Sequence, residues 1–300
     1  MHTDKNTQDR GHIKVPALWR TFYGVTHQFA AGEKTIALTA GQLNVSDTVV
    51  MGGSEPFVAI ARAAIWSPAT AEQGKVRVKA NRKDLFSDAS YLATFGTGRY
   101  PQYLPKELVL DGGADFIVTL DDRQTVTTAI TARFLHFGYL RHKSPVQNAR
   151  FYSEAEPWRY VADFTAEGPN AAAVVANGSI SLPINVDQDG DFQVYKVTLV
   201  SDGAFKIQIS NSDRHQDWFW PGPVHAYLLG GVSFGGDPSA GAWPFRLPES
   251  VPEFVSAGSS LKVAVEDISA ATNRIQVIFD GRKLKPAGGF AMDASLNRRV

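Results

Sequence analysis

The sequence predicts an all-β protein made of two tandem antiparallel β-sandwich domains of jelly-roll-like type, related by an internal duplication. Apolar and polar residues alternate over short segments, which clusters of Gly, Pro, Asn and Asp separate. This pattern is typical of antiparallel sandwiches, whereas βαβ units need helical segments between the strands. Apolar residues almost never recur at helical spacing for more than two turns. The third observation is that the second half repeats the first.

The repeat is clearest around a proline-rich motif. Tyr100–Pro105 (YPQYLP) returns as Trp243–Pro248 (WPFRLP), and a Phe-Gly pair precedes each copy. The offset between the copies is 143 at the first proline (244 − 101) and 145 at the closing strand (275 − 130), as small loop insertions would produce. Two prolines and an aromatic ring predict a rigid loop in each copy, held to its sandwich by burial of the ring.

Alternating segments predict strands at equivalent places in the two halves. Because side chains alternate across a strand, each segment offers one apolar face to a sandwich core. The matched segments are Phe57–Ala61 with Phe192–Leu199, Gly74–Lys79 with Phe205–Ser210, Asp84–Phe86 with Asp217–Phe219, Phe116–Asp122 with Leu261–Asp267, and Ile130–Phe134 with Ile275–Phe279.

These matches divide the chain into five parts. We predict a flexible N-terminal arm over residues 1–16, a first sandwich over 17–143, a linker over 144–159, a second sandwich over 160–285 and a C-terminal tail over 286–300. The arm is either disordered or ordered against a neighbouring subunit. Prolines near both ends of the linker predict a spacer of limited flexibility.

Length, charge and cysteine content exclude several function classes. The 300 residues are enough for two cores, and 30 basic residues balance 30 acidic ones. No global charge therefore favours nucleic acid or an anionic membrane as a partner. The chain has no cysteine, which excludes disulfides, thiolate zinc sites and a cysteine nucleophile. Because we find neither a signal-peptide pattern nor an apolar run of membrane length, we expect a protein made in the cytoplasm, without a membrane partner.

One acidic segment resembles a calcium loop. Asp187–Asp191 (DQDGD) places carboxylates two residues apart around a glycine, and calcium takes six to eight oxygen ligands. The EF-hand pattern requires Glu at the twelfth position, where Thr198 stands. An Asp/Gly turn before the strand at Phe192 explains the segment better. We expect no cofactor.

Candidate catalytic groups do not combine into a site. Ser259 and Lys262 have the Ser-x-x-Lys spacing of acyl-transferring enzymes, but in a strand this separation turns the two side chains to opposite faces. Asp121 and Asp122 point apart for the same reason. The seven histidines lack zinc-site spacing, although His215 in its aromatic segment suggests either a polar cleft or a loop packed on its own sandwich. The sequence therefore favours a protein that is not an enzyme.

Aromatic and proline residues are the candidates for contact with partners. The loops of one small domain could not expose all the rings of Trp218, Phe219, Trp220 and Trp243. These rings therefore lie in the core, in a subunit interface or on a sugar-binding platform. The candidate interface residues are Trp19, Tyr100, Pro101, Tyr103, Trp218, Trp220, Trp243, Pro244 and Phe245.

Several segments carry a family resemblance: Tyr160–Thr165, Asp191–Val194, the loop ending at Leu247–Pro248, and Ile278–Leu284. With them the chain resembles virion structural proteins of tailed bacteriophages. The first half shares the pattern through the repeat, but Phe137–Tyr139 replaces the Asp-Gly-Arg of the second. The resemblance implies a non-enzymatic protein of the capsid exterior, collar or tail. Its location would be the virion, after synthesis in the host cytoplasm. Its partners would be other copies of itself, in a homo-oligomer, and major capsid, portal or tail subunits.

Two other function classes stay open. A glycan-binding or host-attachment module would use exposed rings such as Trp218, Trp220 and Trp243. An enzyme would need a carboxylate pair such as Asp121 and Asp122 to lie in a turn rather than a strand.

Overall fold

Almost all of the regular structure is strand. The computed structural model describes residues 13–14, 20–24, 27–51, 55–67, 74–113, 115–122, 129–141, 147–165, 168, 173–212, 216–233, 245–247 and 253–286. Within these ranges the helical elements are two single 3₁₀ turns, Leu92–Phe95 and Ala226–Leu229. The predicted all-β class is confirmed.

Eleven strands precede the middle of the chain. They are β1 (Ile13–Lys14), β2 (Arg20–Gly24), β3 (His27–Leu38), β4 (Val45–Val50), β5 (Phe57–Ser67), β6 (Lys75–Ala80), β7 (Lys83–Asp84), β8 (Ser90–Tyr91), β9 (Gln102–Leu110), β10 (Asp115–Asp121) and β11 (Ile130–Arg141).

Twelve more strands follow. They are β12 (Gln147–Phe164), β13 (Ser179–Asn185), β14 (Asp191–Ser201), β15 (Phe205–Asn211), β16 (Gln216–Asp217), β17 (Phe219–Trp220), β18 (Val224–His225), β19 (Val232–Ser233), β20 (Phe245–Arg246), β21 (Glu253–Val255), β22 (Ser260–Asp267) and β23 (Ile275–Pro286).

Each half is a sandwich of two sheets with the same strand order. In the first half the sheets run β3-β11-β5-β9 and β4-β10-β6-β7. In the second they run β12-β23-β14, with β20 and β21 on the far side of β14, and β13-β22-β15-β16. The eight main strands of the first half, in chain order, are β3, β4, β5, β6, β7, β9, β10 and β11. Those of the second half are β12, β13, β14, β15, β16, β20 and β21 taken as one, β22 and β23. Numbered in this way, both halves read 1-8-3-6 and 2-7-4-5. This arrangement is a jelly roll, so the two tandem sandwiches and their duplication are confirmed.

Period-two burial builds each core. In β10 the buried Phe116, Val118 and Leu120 alternate with half-buried positions, and in β22 the buried Leu261, Val263 and Val265 alternate with half-buried or exposed ones. One face of each strand therefore enters the core.

A bulge fixes how the two halves align. A Cβ added to Gly138 would lie 1.9 Å from the carbonyl oxygen of Val58, and one on Gly281 would lie 2.0 Å from that of Gln193. Both glycines stand where the register shifts against the third main strand. The offset at the closing strand is thus 143 (281 − 138), not the 145 that the sequence suggested, because residues must match at the bulge.

The predicted linker is not a spacer. Strand β12 occupies Gln147–Phe164 and pairs with β2 at one end and β23 along the rest. Residues 147–159 are therefore part of the second sandwich's sheet, whose backbone hydrogen bonds hold them in extended form.

The ends also depart from the prediction. Ile13 and Lys14 of the predicted flexible arm form β1 and pair with Ala155 and Glu154 of β12, so this part of the arm adds to a sheet of its own chain. Strand β23 continues to Pro286. Residues 1–12 and 287–300 lie outside the described residues.

The proline-rich segment of the first copy is a strand rather than a loop. Gln102–Leu110 forms β9, the edge of its sheet, where a missing proline N–H is tolerated. Tyr103 stands opposite Ala61 and Leu108 opposite Ala59, so three extra residues bulge out of β9 between them.

Candidate functional site

Aromatic rings join the two sandwiches into one body. The ring of Phe29 lies 5.6 Å from that of Trp218, 6.2 Å from Phe219 and 5.7 Å from Phe245. The ring of Phe137 lies 5.2 Å from Phe245. All five side chains are buried in a cluster that also contains the second core. We call this contact the seam.

Backbone pairing reinforces the seam. Strand β17 adds to β3 in parallel, with Phe219 opposite Ala31, and the Ala31 N–H donates to the Trp218 carbonyl at 3.1 Å. The His225 N–H donates to Glu33 Oε2 at 2.5 Å. A sheet of the first sandwich thus continues into the second, which makes the two halves one unit.

The predicted interface residues divide between the seam and the surface. Trp218 and Phe245 are buried in the seam, so both contact the other half of their own chain and neither is available to a partner. This corrects their assignment as external contacts. The other described candidates are at least partly exposed: Tyr100 (63%), Tyr103 (58%), Trp220 (48%) and the half-buried Pro101. Trp19, Trp243 and Pro244 lie outside the described residues.

A cleft of about 380 Å³ opens beside the seam. Its floor is Phe245, and its walls carry two tyrosines and two guanidinium groups. The lining residues are Gly98, Arg99, Tyr100, Pro101, Tyr103, Phe245 and Arg246. The cleft has both flat rings and positive charge, which suits an anionic or sugar-like ligand.

A second, larger groove lies on the outer sheet of the second sandwich. It measures about 560 Å³ and is lined by Pro157, Trp158, Arg159, Lys196, Asp280 and Gly281. Asp280 accepts from Arg159 Nε at 2.6 Å and pairs with Lys196 at 3.6 Å. We call it the Trp158 groove, after one of its lining residues. The sequence reasoning missed it because Pro157 and Trp158 were assigned to the linker.

The acidic segment Asp187–Asp191 binds a lysine of its own chain. Lys283 Nζ lies 2.8 Å from Asp187 and 2.6 Å from Asp189, with the Trp158 ring 4.6 Å away. Although burial opposes it, hydrogen bonding to the two carboxylates raises the pKa of Lys283 to about 12. Asp191 accepts instead from the Tyr152 hydroxyl and from the Ala257 N–H. This arrangement agrees with the predicted turn.

The carboxylates considered for catalysis hold loops. Asp121 accepts from the Asn44 N–H at 2.6 Å and Asp122 from the Gly41 N–H at 2.7 Å. In the second half Asp267 accepts from the Asn177 N–H at 2.9 Å. The two asparagines have φ of 58° and 54°, so each copy uses a carboxylate to fix a left-handed residue before its second main strand.

The other proposed chemical groups are not assembled. Lys262 is exposed on β22, and Ser259 precedes that strand in a turn. His215 lies outside the described residues. No group of three or more His, Cys, Asp or Glu side chains that could hold a metal ion occurs in the described ranges.

His136 is a buried polar group inside the first core. Its ring stacks on Phe116 with 4.2 Å between centroids, and neither ring nitrogen has a hydrogen-bond partner among the described residues. Burial, with the nearby Arg62 charge, lowers the pKa of His136 to about 3. By the bulge alignment the equivalent residue is Phe279 (136 + 143), so His136 occupies a core position that is aromatic in both copies.

Comparison with known proteins gives structural neighbours but no family. No protein-family model and no curated protein matches the sequence. The major capsid protein P2 of bacteriophage PM2 matches at TM-score 0.30 and 9% identity, over 88% of this chain and 100% of the other. Infectious bursal disease virus VP2 matches at 0.23 and 14%, over 93% and 74%. The A223 turret protein of Sulfolobus turreted icosahedral virus matches at 0.18 and 9%, over 84% and 98%.

The CUB1-EGF-CUB2 domains of rat MASP-1 and the extracellular domain of ANXUR2 from Arabidopsis thaliana match at similar scores. All of these TM-scores are below 0.5, so the neighbours carry no argument about what this chain does. In the described part of the chain, no helix has the length and apolar character needed to cross a membrane.

Proposed function

We propose that this chain is a non-enzymatic structural protein of a virion, held in the particle by protein–protein contacts. In the finer form of the proposal the particle is a tailed bacteriophage, and the protein decorates the capsid exterior or belongs to the collar or tail. It is made in the host cytoplasm, associates with itself, and contacts major capsid, portal or tail subunits.

The observation that carries the proposal is the repeated jelly roll with its buried seam. The same strand order occurs twice, and Phe29, Phe137 and Phe245 lock the two copies together. Jelly rolls are typical of viral capsid and lectin domains. A rigid double unit suits assembly, because each copy presents a different outer surface to its neighbours and many weak contacts add up in a particle.

Two further observations support a structural role. The sequence resemblance to tailed-phage virion proteins includes Asp191–Val194 and Ile278–Leu284, which lie in β14 and β23 at the middle of one sheet. The acids that a hydrolase would need, Asp121 and Asp122, serve instead to bind backbone N–H groups.

Mass spectrometry of purified virions, with copy number measured against the major capsid protein, tests the proposal. We expect the chain in the particle at a fixed stoichiometry. A high copy number would favour decoration of the coat, and a low one a collar or tail position. Absence from purified particles of the virus that encodes it would overturn the proposal.

The cleft beside the seam supports a second candidate, a glycan-binding or host-attachment module. The exposed Tyr100 and Tyr103 rings stand near two arginines there, whereas Trp218 of the original hypothesis is buried. An acidic glycan would stack on the rings and pair with Arg246. An array of acidic glycans should give hits that Arg246→Ala abolishes. Silence across the array, or hits that survive this change, would remove the candidate.

A further inference from the structure

We propose that the Trp158 groove binds a second copy of this chain, through the segment around Leu85 and Phe86 in the first sandwich of that copy. The contact would be head to tail. This proposal specifies the self-association that is part of the proposed function, and it rests on that function. It can nevertheless be tested on the purified protein, without a virus particle.

The two copies of the sandwich show where the groove lies in the fold. In the first sandwich Phe137 pairs with Ala31 and with Ala61. In the second, Asp280 pairs with Arg159 and with Lys196. The bulge glycines follow directly, Gly138 after Phe137 and Gly281 after Asp280. The row Arg159–Asp280–Lys196 is therefore the structural equivalent of the row Ala31–Phe137–Ala61.

The equivalent place in the first sandwich is occupied. Phe245 packs on Phe137, Phe219 pairs with Ala31, and Phe29 contacts Trp218. Pro157 of the groove corresponds to Phe29, since both stand two residues before the matched row. The seam is thus a filled version of the Trp158 groove, and the same site in the second sandwich is open.

The repeat also identifies an occupant. Trp218 and Phe219 follow β16 as Leu85 and Phe86 follow β7, which is the same main strand of the other copy. Each segment then leads to a 3₁₀ turn, preceded by His225 in one copy and by Tyr91 in the other. His225 is buried in the seam region, whereas Tyr91 is 52% exposed. Leu85 and Phe86 themselves are half-buried against the first core, with the Arg62 guanidinium 4.3 Å from the centroid of the Phe86 ring, and the flanking Asp84, Ser87 and Asp88 are exposed. The first sandwich therefore keeps this segment, with its polar flanks and Tyr91 on a surface that the seam does not cover.

The change in chemistry fits a contact between separate subunits. Inside the chain the matched row is apolar and permanently buried. The groove carries Arg159, Lys196 and Asp280, and Arg is enriched at protein–protein interfaces. In the proposed partner segment two exposed acids, Asp84 and Asp88, flank Leu85 and Phe86 and complement the groove's excess of positive charge.

A head-to-tail contact has a consequence for assembly. The groove and the Leu85–Phe86 segment are different surfaces, so each molecule can bind one neighbour on each side. Such heterologous contacts build closed rings if the rotation closes and filaments if it does not.

Sedimentation of the purified full chain tests the proposal with two variants. The groove variant is Arg159→Glu with Lys196→Glu, and the segment variant is Asp84→Asn with Asp88→Asn, which removes the acids without creating a charge that the Glu groove could bind. Each should weaken self-association at least ten-fold, and mixing the two should give a one-to-one heterodimer, because the intact groove of one meets the intact segment of the other. Lys262→Glu, an exposed charge reversal on the opposite sheet, should leave association unchanged.

Other outcomes would overturn the head-to-tail contact. They are a wild-type chain that stays monomeric at high concentration, an oligomer that either variant leaves intact, or a mixture that stays monomeric. Equal melting temperatures of the variants and Lys262→Glu would show that folding is unaffected. Absence of the protein from virions would instead contradict the proposed function and leave this result standing.

Discussion

The ring of Phe245 packs edge-on against the ring of Phe137, with 5.2 Å between the centroids and 69° between the planes. Phe245 belongs to β20 of the second sandwich and Phe137 to β11 of the first. The contact therefore crosses the duplication, and we expect it to couple the folding of the two halves.

Removing the Phe245 ring should uncouple the halves. We expect Phe245→Ala to lower the free energy of unfolding by about 3–5 kcal/mol, because it leaves a cavity against Phe29 and Phe137. Denaturant titration followed by circular dichroism and tryptophan fluorescence would measure it. Leu43→Ala, at an exposed position, should change stability by only about 0.5 kcal/mol. Equal losses for both variants would show that the seam does not couple the halves.

The bulge glycines should be equally intolerant of a side chain. In Gly138→Ala and Gly281→Ala the new Cβ would meet a carbonyl oxygen at 1.9 and 2.0 Å, so the backbone of each strand must move. We expect each variant to lose at least about 2 kcal/mol of stability. Gly222→Ala is the matched control, since a Cβ there meets nothing within 4 Å. The melting temperatures of the three variants, compared with that of the wild-type protein, test this prediction. An unchanged melting temperature for Gly281→Ala would contradict the structural equivalence of the two bulges.

His136 should make the fold sensitive to acid. Its folded pKa of about 3 lies below the ordinary value near 6.5. The unfolded chain therefore takes up the proton first as the pH falls, and stability drops by up to about 1.4 kcal/mol per pH unit across that window.

Phe at position 136 should remove this part of the acid sensitivity. At pH 7, His136→Phe should stabilise the protein by about 1–2 kcal/mol, since it deletes two buried nitrogens without hydrogen-bond partners among the described residues. The advantage should grow as the pH falls towards 4. Melting temperatures of both proteins from pH 4 to 7 would show it, and parallel curves would refute the assignment. His225, whose pKa burial lowers to about 4, stays in both proteins.

Lys283 should occupy the place that a calcium ion would take in the Asp187–Asp191 turn. We expect calcium to leave the melting temperature of the wild-type protein unchanged, because the ammonium group already contacts Asp187 and Asp189. Lys283→Ala should lose about 1–3 kcal/mol, less than a fully buried pair because both acids are partly exposed.

Alkaline titration gives an independent check on Lys283. Its folded pKa of about 12 is raised above the ordinary 10.5, so its contribution is complete below pH 10.5 and is lost as the pH rises through 12. Lys283→Ala should lack this loss. A calcium-dependent rise of the wild-type melting temperature would contradict the assignment of the turn.

The sequence by itself determined the class and the repeat. Alternation in segments such as Phe116–Asp122 and Leu261–Asp267 predicts strands with one buried face, and β10 and β22 have that form. The matched order of these segments predicts two copies of one sandwich, as the common strand order confirms. Such features are local in the chain, since the period of a strand is set by its own backbone.

Only the tertiary structure decided which aromatic residues face a partner. Trp218 and Phe245 are buried and Tyr100 and Tyr103 are exposed, yet all lie in similar aromatic segments. The alternation of apolar and polar residues shows that a sheet has an inner and an outer face. It does not show what covers the outer face, because this depends on how the second sandwich docks on the first. For the same reason Lys283, 96 residues from Asp187, was not assigned as its partner. Docking of one half on the other closes the seam and leaves the Trp158 groove open.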